Sequence, residues 1–474
     1  MGFALSNPEW VEARSYQQDA IRSWVGGGAR GVLQMATGTG KTVTALMAAT
    51  TITEQLEGKL GLIIAVPYQH LVDQWREDVQ DFGGNPIRAY ESRAKWEDRF
   101  EGEVAEFNRG FRDGFVVVTT HETFTSEAFQ RILSRINRQE LMLIGDEVHH
   151  LGASHRRERL PERIPMRLGL SATPQRFYDD EGSEALFEYF GDVVYEYSLA
   201  EAIRNGNLCE YYYVPHVVDL TPEEADEYLK LSRKIARLVM QYGGDLGDAE
   251  NNERTDLKFA LFERARLVGT ARNKLDRLIQ LIGDQGPVQH TLVYCGDGRV
   301  EGSVGDRTER HVDATLSELR KLGVHAKRFT ADEDREEREE LLAAFDDGDV
   351  EALVAIRCLD EGVDVPATRT AYVLASSSNP RQFVQRRGRI LRTHSGKQHA
   401  VIHDFIVAPP RELRDATADD ERFKTERTLV QQELERVQLF GEAARNHPDA
   451  DVQGIPTDAG AIGELKRAFN LRQL

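Results

Sequence analysis

The residues best placed to do chemistry begin at Gly38. In GVLQMATGTGKTVTAL an apolar run is followed by Gly38-Thr39-Gly40, then Lys41-Thr42 and a helical pattern. Backbone N–H groups from Gly38 to Thr42, at a helix start whose dipole favours anions, form a cradle for phosphate groups. A lysine here reaches the β- and γ-phosphates, and the threonine hydroxyl holds magnesium. The full phosphate-loop pattern has a glycine six residues before the lysine, where this chain has Met35. About one hundred residues on, LMLIGDEVHH ends an apolar run in Asp146-Glu147. Asp146 suits the magnesium, and Glu147 suits a water that must be oriented and deprotonated. A zinc-binding HExxH is absent, since Val148, His149 and His150 follow Glu147. PRQFVQRRGRILR then sets five arginines within 381–392. Guanidinium groups aimed at a γ-phosphate stabilise transition-state charge, worth about 10³–10⁵ in rate. Arg389 and Arg392, three apart, fit one helix face. Arg386 and Arg387 read as solvated or nucleic-acid-facing.

These groups need rigid strands behind them. Short apolar runs at 31–35, 60–66, 115–119, 141–145 and 166–170 alternate with longer amphipathic stretches. The rhythm returns at 291–295, 325–330, 351–356, 370–376 and 400–407. Such alternation predicts two α/β units, each a parallel sheet covered by helices. Between them, 198–282 reads as mostly helical. Thr221 and Pro222 make a helix start, and the glycine-containing stretch 241–256 makes a break. The acidic run Ala331–Glu340 precedes Leu341, Leu342 and Phe345, as a solvated helix face does. Beyond Pro409 and Pro410 the pattern is helical and charged, then a proline-containing loop and a short final helix.

A length of 474 residues exceeds one compact core. No apolar run approaches a membrane span, and the N-terminus lacks a secretory pattern. It fits the loose myristoylation pattern at Gly2 and Ser6. Cys209, Cys295 and Cys358 lie too far apart for a disulfide scaffold or a CxxC zinc site, so a reducing cytoplasm is expected. The net charge is −19, with 48 Arg and 12 Lys among the 60 cations. Nucleic-acid contact must therefore come from a local groove rather than the overall field. Such an acid-rich, lysine-poor chain fits either high internal salt or a GC-rich genome.

Taken together, the set resembles the superfamily 2 helicases and translocases. ATGTGKT (36–42) looks like motif I, DEVH (146–149) motif II, and SAT (171–173) motif III. IRCLDEGVDVP (356–366) looks like motif V and QRRGRILR (385–392) motif VI. Arg14-Ser15-Tyr16-Gln17 is similar to the Q motif, VPYQHLVDQW (66–75) to motif Ia, and Thr119-Thr120 to motif Ib. The resemblance covers roughly residues 10–408. It implies two tandem RecA-like domains at 1–197 and 283–408, with ATP and Mg2+ in the cleft between them. It leaves a helical insertion at 198–282, thumb-like by analogy, and a helical C-terminal extension at 409–474. On it, Gln17 contacts adenine, and Gly38, Thr39, Gly40, Lys41, Thr42, Gly362 and Asp364 bind or sense ATP. Thr42 and Asp146 hold magnesium, and Lys41, Glu147, Gln385, Arg389 and Arg392 are catalytic. His149, Ser171 and Thr173 couple nucleotide state to movement, while Pro67, Thr119 and Thr120 grip a nucleic-acid strand. The DEVH segment and motifs V and VI resemble the XPB-like branch and restriction motors more than DEAD-box RNA helicases. The expected activity is therefore ATP-driven movement along DNA or its unwinding, in repair or phage defence, 3′ to 5′. Two alternatives stand beside it: an RNA helicase, and a nucleotide-switched DNA sensor that recruits a separate nuclease or other repair or defence subunits. With about 30 residues before the phosphate loop, no damage-recognition domain is expected there, and no Arg-Glu-Asp motif is identified after DEVH.

Overall fold

A computed structural model describes residues 5–176, 179–242, 255–296, 298–301, 308–330, 333–356, 365–375, 380–415, 421–471 and 473. The chain divides into two compact units, Met1–Arg204 and Asn205–Leu474. Unit 1 contains β1 (Arg30–Met35), β2 (Gly61–Val66), β3 (Ile87–Ala89), β4 (Phe115–Thr120), β5 (Leu141–Asp146), β6 (Met166–Ser171) and β7 (Val193–Tyr197). They form one parallel sheet in the order β3-β4-β2-β5-β6-β1-β7. Every residue of β2 (GLIIAV) and β4 (FVVVTT) is buried. Such continuous apolar runs are what a parallel sheet covered on both faces requires. Phe100, Phe107, Phe115 and Phe129 fill much of the core on one side.

The strand order decides where chemistry can occur. β5, β6 and β1 are neighbours, with Asp146 beside Leu170 and Gln34 beside Ser171. Their C-terminal ends therefore bring together Asp146, Ser171 and the turn after Met35. In open α/β sheets ligands bind at such strand ends.

Unit 2 contains β8 (Glu210–Val218), β9 (Thr291–Tyr294), β10 (Arg299–Glu301), β11 (Thr308–Arg310), β12 (Ala326–Phe329), β13 (Ala352–Ala355), β14 (Thr370–Val373) and β15 (His399–Val407). Six of these make a parallel sheet in the order β12-β13-β9-β14-β15-β8, and β10 and β11 form an antiparallel pair. Segment 198–282 is mostly helical among its described residues, as expected, but it also contains a strand. Its nine-residue strand β8 pairs with β15 along its whole length. As an edge strand it tolerates Pro215. Its outer edge is covered by the C-terminal segment. Arg445 N–H donates to Tyr211 O at 2.9 Å, and the Asn446 carboxamide pairs with both Tyr213 N–H and C=O at 2.9 Å. This blocks an edge that could otherwise recruit another strand.

The helix Pro222–Gln241 starts as expected, with a reciprocal capping box between Thr221 and Glu224. It ends at Gln241, and the next helix spans Thr255–Gly269. Both pack with the C-terminal helix Glu421–Gly441 around Glu426, which is fully buried. Its carboxylate accepts from Tyr228 Oη at 2.8 Å and Ser232 Oγ at 2.5 Å, and Arg264 lies 3.5 Å away. A buried carboxyl group needs such partners to offset its loss of hydration. The insertion from Asn205 onward and the C-terminal extension thus belong to one unit with residues 283–408. The acidic run forms the helix Arg335–Asp347, with Phe345 turned inward. Among the described residues no helix is long and apolar enough to cross a membrane.

Candidate nucleotide site

The phosphate-loop helix, Lys41–Gln55, starts from Gly40 in the left-handed region (φ 79°), and Gly38 is left-handed too (φ 87°). A Cβ on Gly40 would meet Gln17 Nε2 at 3.2 Å. Glycine is therefore needed at position 40 for both backbone and space. Thr39 is buried, its hydroxyl donating to Ala36 O at 2.6 Å and its carbonyl accepting from Tyr16 Oη at 2.7 Å. Tyr16 stacks on Tyr197 with centroids 4.1 Å apart. Gln17 bridges the two helix starts. Its Oε1 accepts from Arg14 N–H at 3.0 Å and its Nε2 donates to Thr44 Oγ1 at 3.2 Å.

Lys41 Nζ donates to Met35 O at 3.3 Å and lies 3.8 Å from Glu147 Oε1. Motifs about one hundred residues apart thus meet through one ion pair. Glu147 is itself left-handed (φ 44°), a strained state for a residue with a side chain, and such strain gathers at functional sites. Its other oxygen is 3.4 Å from Ser171 Oγ and 3.5 Å from His149 Nδ1, and that Nδ1 is 3.2 Å from Ser171 Oγ. Thr173 N–H donates to Ser171 Oγ at 3.1 Å. Asp146 accepts from Trp75 Nε1 at 3.0 Å and from Glu147 N–H at 3.0 Å. Burial, with Glu147 beside it, pushes the Asp146 carboxyl up to about 6, opposed by Lys41 and by Trp75. Lys41, Asp146, Glu147, His149, Ser171 and Thr173 therefore share one cluster, and Thr42 begins the helix next to it.

The two threonines assigned to strand gripping are both buried in unit 1. Thr119 is fully buried and its hydroxyl donates to Ala89 O at 2.7 Å, tying β4 to β3. Thr120, also buried, caps the helix His121–Phe124 by accepting from Thr123 N–H at 3.2 Å. In the loop after β2, Pro67 is half-buried and Tyr68 exposed, and Gln69 and His70, which begin the helix Gln69–Asp81, are exposed as well.

In unit 2 the arginine cluster separates by burial. Arg386 and Arg387, expected to be solvated or nucleic-acid-facing, are both buried. Arg386 donates to Ala375 O at 3.2 Å and lies over the Tyr294 ring; Arg387 donates to Leu439 O at 2.7 Å and lies over Phe440. Gln385, Arg389 and Arg392 are only half-buried. The helix Pro380–Ile390 stops before Arg392, which makes an antiparallel bridge with Leu208, so Arg389 and Arg392 do not share a helix face. Gly362 and Asp364 lie outside the described residues, as does Cys358.

Residues 11–176 match the family model "Type III restriction enzyme, res subunit", and residues 273–394 match "Helicase conserved C-terminal domain". Over 400 residues the chain is 28% identical to the DNA 3'-5' translocase XPB2 of Sulfurisphaera tokodaii, covering 81% of this chain and 79% of that protein. The chain is an ATP-hydrolysing superfamily 2 helicase or translocase. The helicase is also 29% identical to the type I restriction enzyme EcoAI endonuclease subunit of Escherichia coli, across 60% of this chain and 32% of that one. Its fold is shared with the helicase domain of Pyrococcus furiosus Hef (TM-score 0.52, 18% identity, 86% and 98% covered). The same holds for the type ISP restriction-modification enzyme LlaBIII bound to DNA (TM-score 0.59, 17% identity, 91% and 30% covered). Both units are RecA-like α/β domains in tandem.

Three structural features of this helicase have no role assigned by the motifs, the first of them Trp75 at the end of the motif Ia segment. Trp75 anchors Asp146, as described above. Trp10, 59% exposed, walls a cavity of about 630 Å³ together with Arg14, Gln17 and Gly38–Gly40. The other three tryptophans are buried. Lys397 donates to Pro366 O at 3.1 Å, to Arg392 O at 3.0 Å and to Ile390 O. It clasps the ends of motifs V and VI, and burial pulls its ammonium down to about 8. Lys397→Met would leave those carbonyls without their donor, destabilising unit 2 by about 2 kcal/mol. A lowered thermal midpoint checks this, and an unchanged one contradicts it.

Proposed function

We propose that this chain couples hydrolysis of Mg-ATP to 3′-to-5′ movement along DNA. The observation that carries the reading is the Lys41–Glu147 pair, 3.8 Å apart between the segments that follow β1 and β5, with Glu147 held left-handed against Ser171 and His149. The similarity to a DNA 3'-5' translocase supports the substrate and polarity.

The phosphates sit on the N–H groups of Gly38–Thr42, and Lys41 turns from Glu147 to the β- and γ-phosphates. Released from the ion pair, Glu147 orients the attacking water and takes its proton. The Thr42 hydroxyl and the Asp146 carboxylate are hard oxygen donors, which fits magnesium completed by phosphate oxygens and water. Bound there, it would neutralise phosphate charge. Ser171 and His149, both touching Glu147, convey the loss of the γ-phosphate to the rest of unit 1. Arg389 and Arg392 supply positive charge in the transition state, and Gln385 offers a hydrogen-bonding amide.

Adenine enters the cavity beside Gln17 and stacks on Trp10. Trp10→Ala is then expected to raise KM for ATP by about five- to tenfold, with kcat nearly unchanged, as loss of one aromatic stack does. Equal KM values for the two proteins would contradict that role.

The insertion offers DNA a local basic face within an acidic chain. Lys230, Arg233, Lys234 and Arg237 are exposed along the helix Pro222–Gln241, opposite buried Leu231, Ile235 and Val239. Phe259 and Phe262 are exposed on the adjoining helix, joined through Lys234–Glu263 at 3.2 Å. Cations and aromatic rings together serve phosphates and bases, consistent with a thumb-like role.

The test is ATP-dependent release of streptavidin from biotinylated single strands, and of a third strand from a duplex. Movement 3′ to 5′ releases streptavidin from 5′-biotinylated strands far faster than from 3′-biotinylated ones. The similarity to a restriction endonuclease subunit favours a second reading, a DNA-bound switch that recruits a nuclease. DNA-stimulated ATPase with no displacement of any kind would select it.

A further inference from the structure

Rings run through unit 1 from the exposed loop after β2 to the hydrolytic carboxylate. Tyr68 and His70 stack with centroids 5.7 Å apart, and Tyr68 meets His150 edge-on at 5.9 Å. His150 lies 4.4 Å from the ring of His149, whose Nδ1 contacts both Ser171 and Glu147. His121, fully buried directly after Thr120, stands 6.2 Å from the same His150 ring. The loop after β2 and the helix after β4 therefore converge on one imidazole. A backbone link completes the path, since His150 N–H donates to Glu147 O at 3.0 Å. That bond closes the turn that holds Glu147 left-handed. Arg156 Nη1 steadies the far side of the turn by donating to His150 O at 3.1 Å.

We infer that His150, with Tyr68 as its outer contact, is a positioning residue that conveys DNA on the loop after β2 to Glu147. Close-packed rings pass a displacement on rather than absorb it. A strained backbone position responds to small changes in what holds it. The inference rests on the motor reading above.

The experiment measures ATP turnover with and without single-stranded DNA for the wild type, His150→Ala, Tyr68→Leu and the double variant. DNA affinity is followed by anisotropy. Each single variant is expected to lose about tenfold of the DNA stimulation, within the range of measured coupling effects. DNA affinity stays within about threefold, and the double variant loses no more than the stronger single, because both residues act in one chain of contacts. Tyr68 is exposed, so Tyr68→Leu keeps the test informative should His150→Ala fail to fold. A preserved stimulation ratio, or losses that multiply in the double variant, would overturn the inference alone. A wild type that DNA does not stimulate would overturn the motor reading and the relay with it.

Discussion

Arg389→Ala is expected to lower kcat by about a thousandfold or more, the loss seen when an arginine finger is removed. ATP affinity should change by less than about threefold, since such a group acts mainly in the transition state. The basis is the division of the arginine cluster. Arg386 and Arg387 are consumed by carbonyls and aromatic rings of unit 2, which leaves Gln385, Arg389 and Arg392 with partial exposure. Arg387→Ala is the natural control. It breaks the contact with Leu439 O and the stack on Phe440, so it should act first on thermal stability. Parallel loss of turnover and ATP binding in Arg389→Ala would instead make Arg389 a structural group.

Glu147→Gln should lower kcat by about 10²–10⁴-fold, the usual worth of a positioned general base. The amide keeps the side chain's shape and its contacts with Ser171 and His149, so folding and ATP binding are retained. It cannot accept the proton from water, and it removes the charge that Lys41 faces at 3.8 Å. The protein should then hold ATP with DNA still bound, measurable as slow release of labelled nucleotide. Near-normal turnover would show that Glu147 does not activate the water.

The strand positions were readable in the sequence where strands are buried on both faces. GLIIAV and FVVVTT have no polar alternation to confuse with a surface element. The phosphate turn and the Asp146-Glu147 tip were readable because their chemistry is carried by adjacent residues at a strand end. What escaped depends on contacts distant in sequence. β3 and β7 are short strands at the two sheet edges, and β8 is rich in tyrosine and carries a proline. Arg387 is buried by Leu439 and Phe440, some fifty residues further on, so its role could not be read from the motif around it. Thr119 looked available because its neighbours form a motif, yet its hydroxyl is spent on Ala89 O across the sheet. Trp10 and Lys397 belong to no recurring pattern, and only the cavity wall and the clasped carbonyls reveal them.

The central claim is that ATP hydrolysis here is driven by DNA. The most direct measurement is steady-state ATPase activity without nucleic acid, and with single-stranded DNA, duplex DNA or RNA, at low and at molar KCl. Stimulation by DNA and not by RNA is the expected result. Stimulation by RNA alone, or by no nucleic acid in either salt, would contradict it.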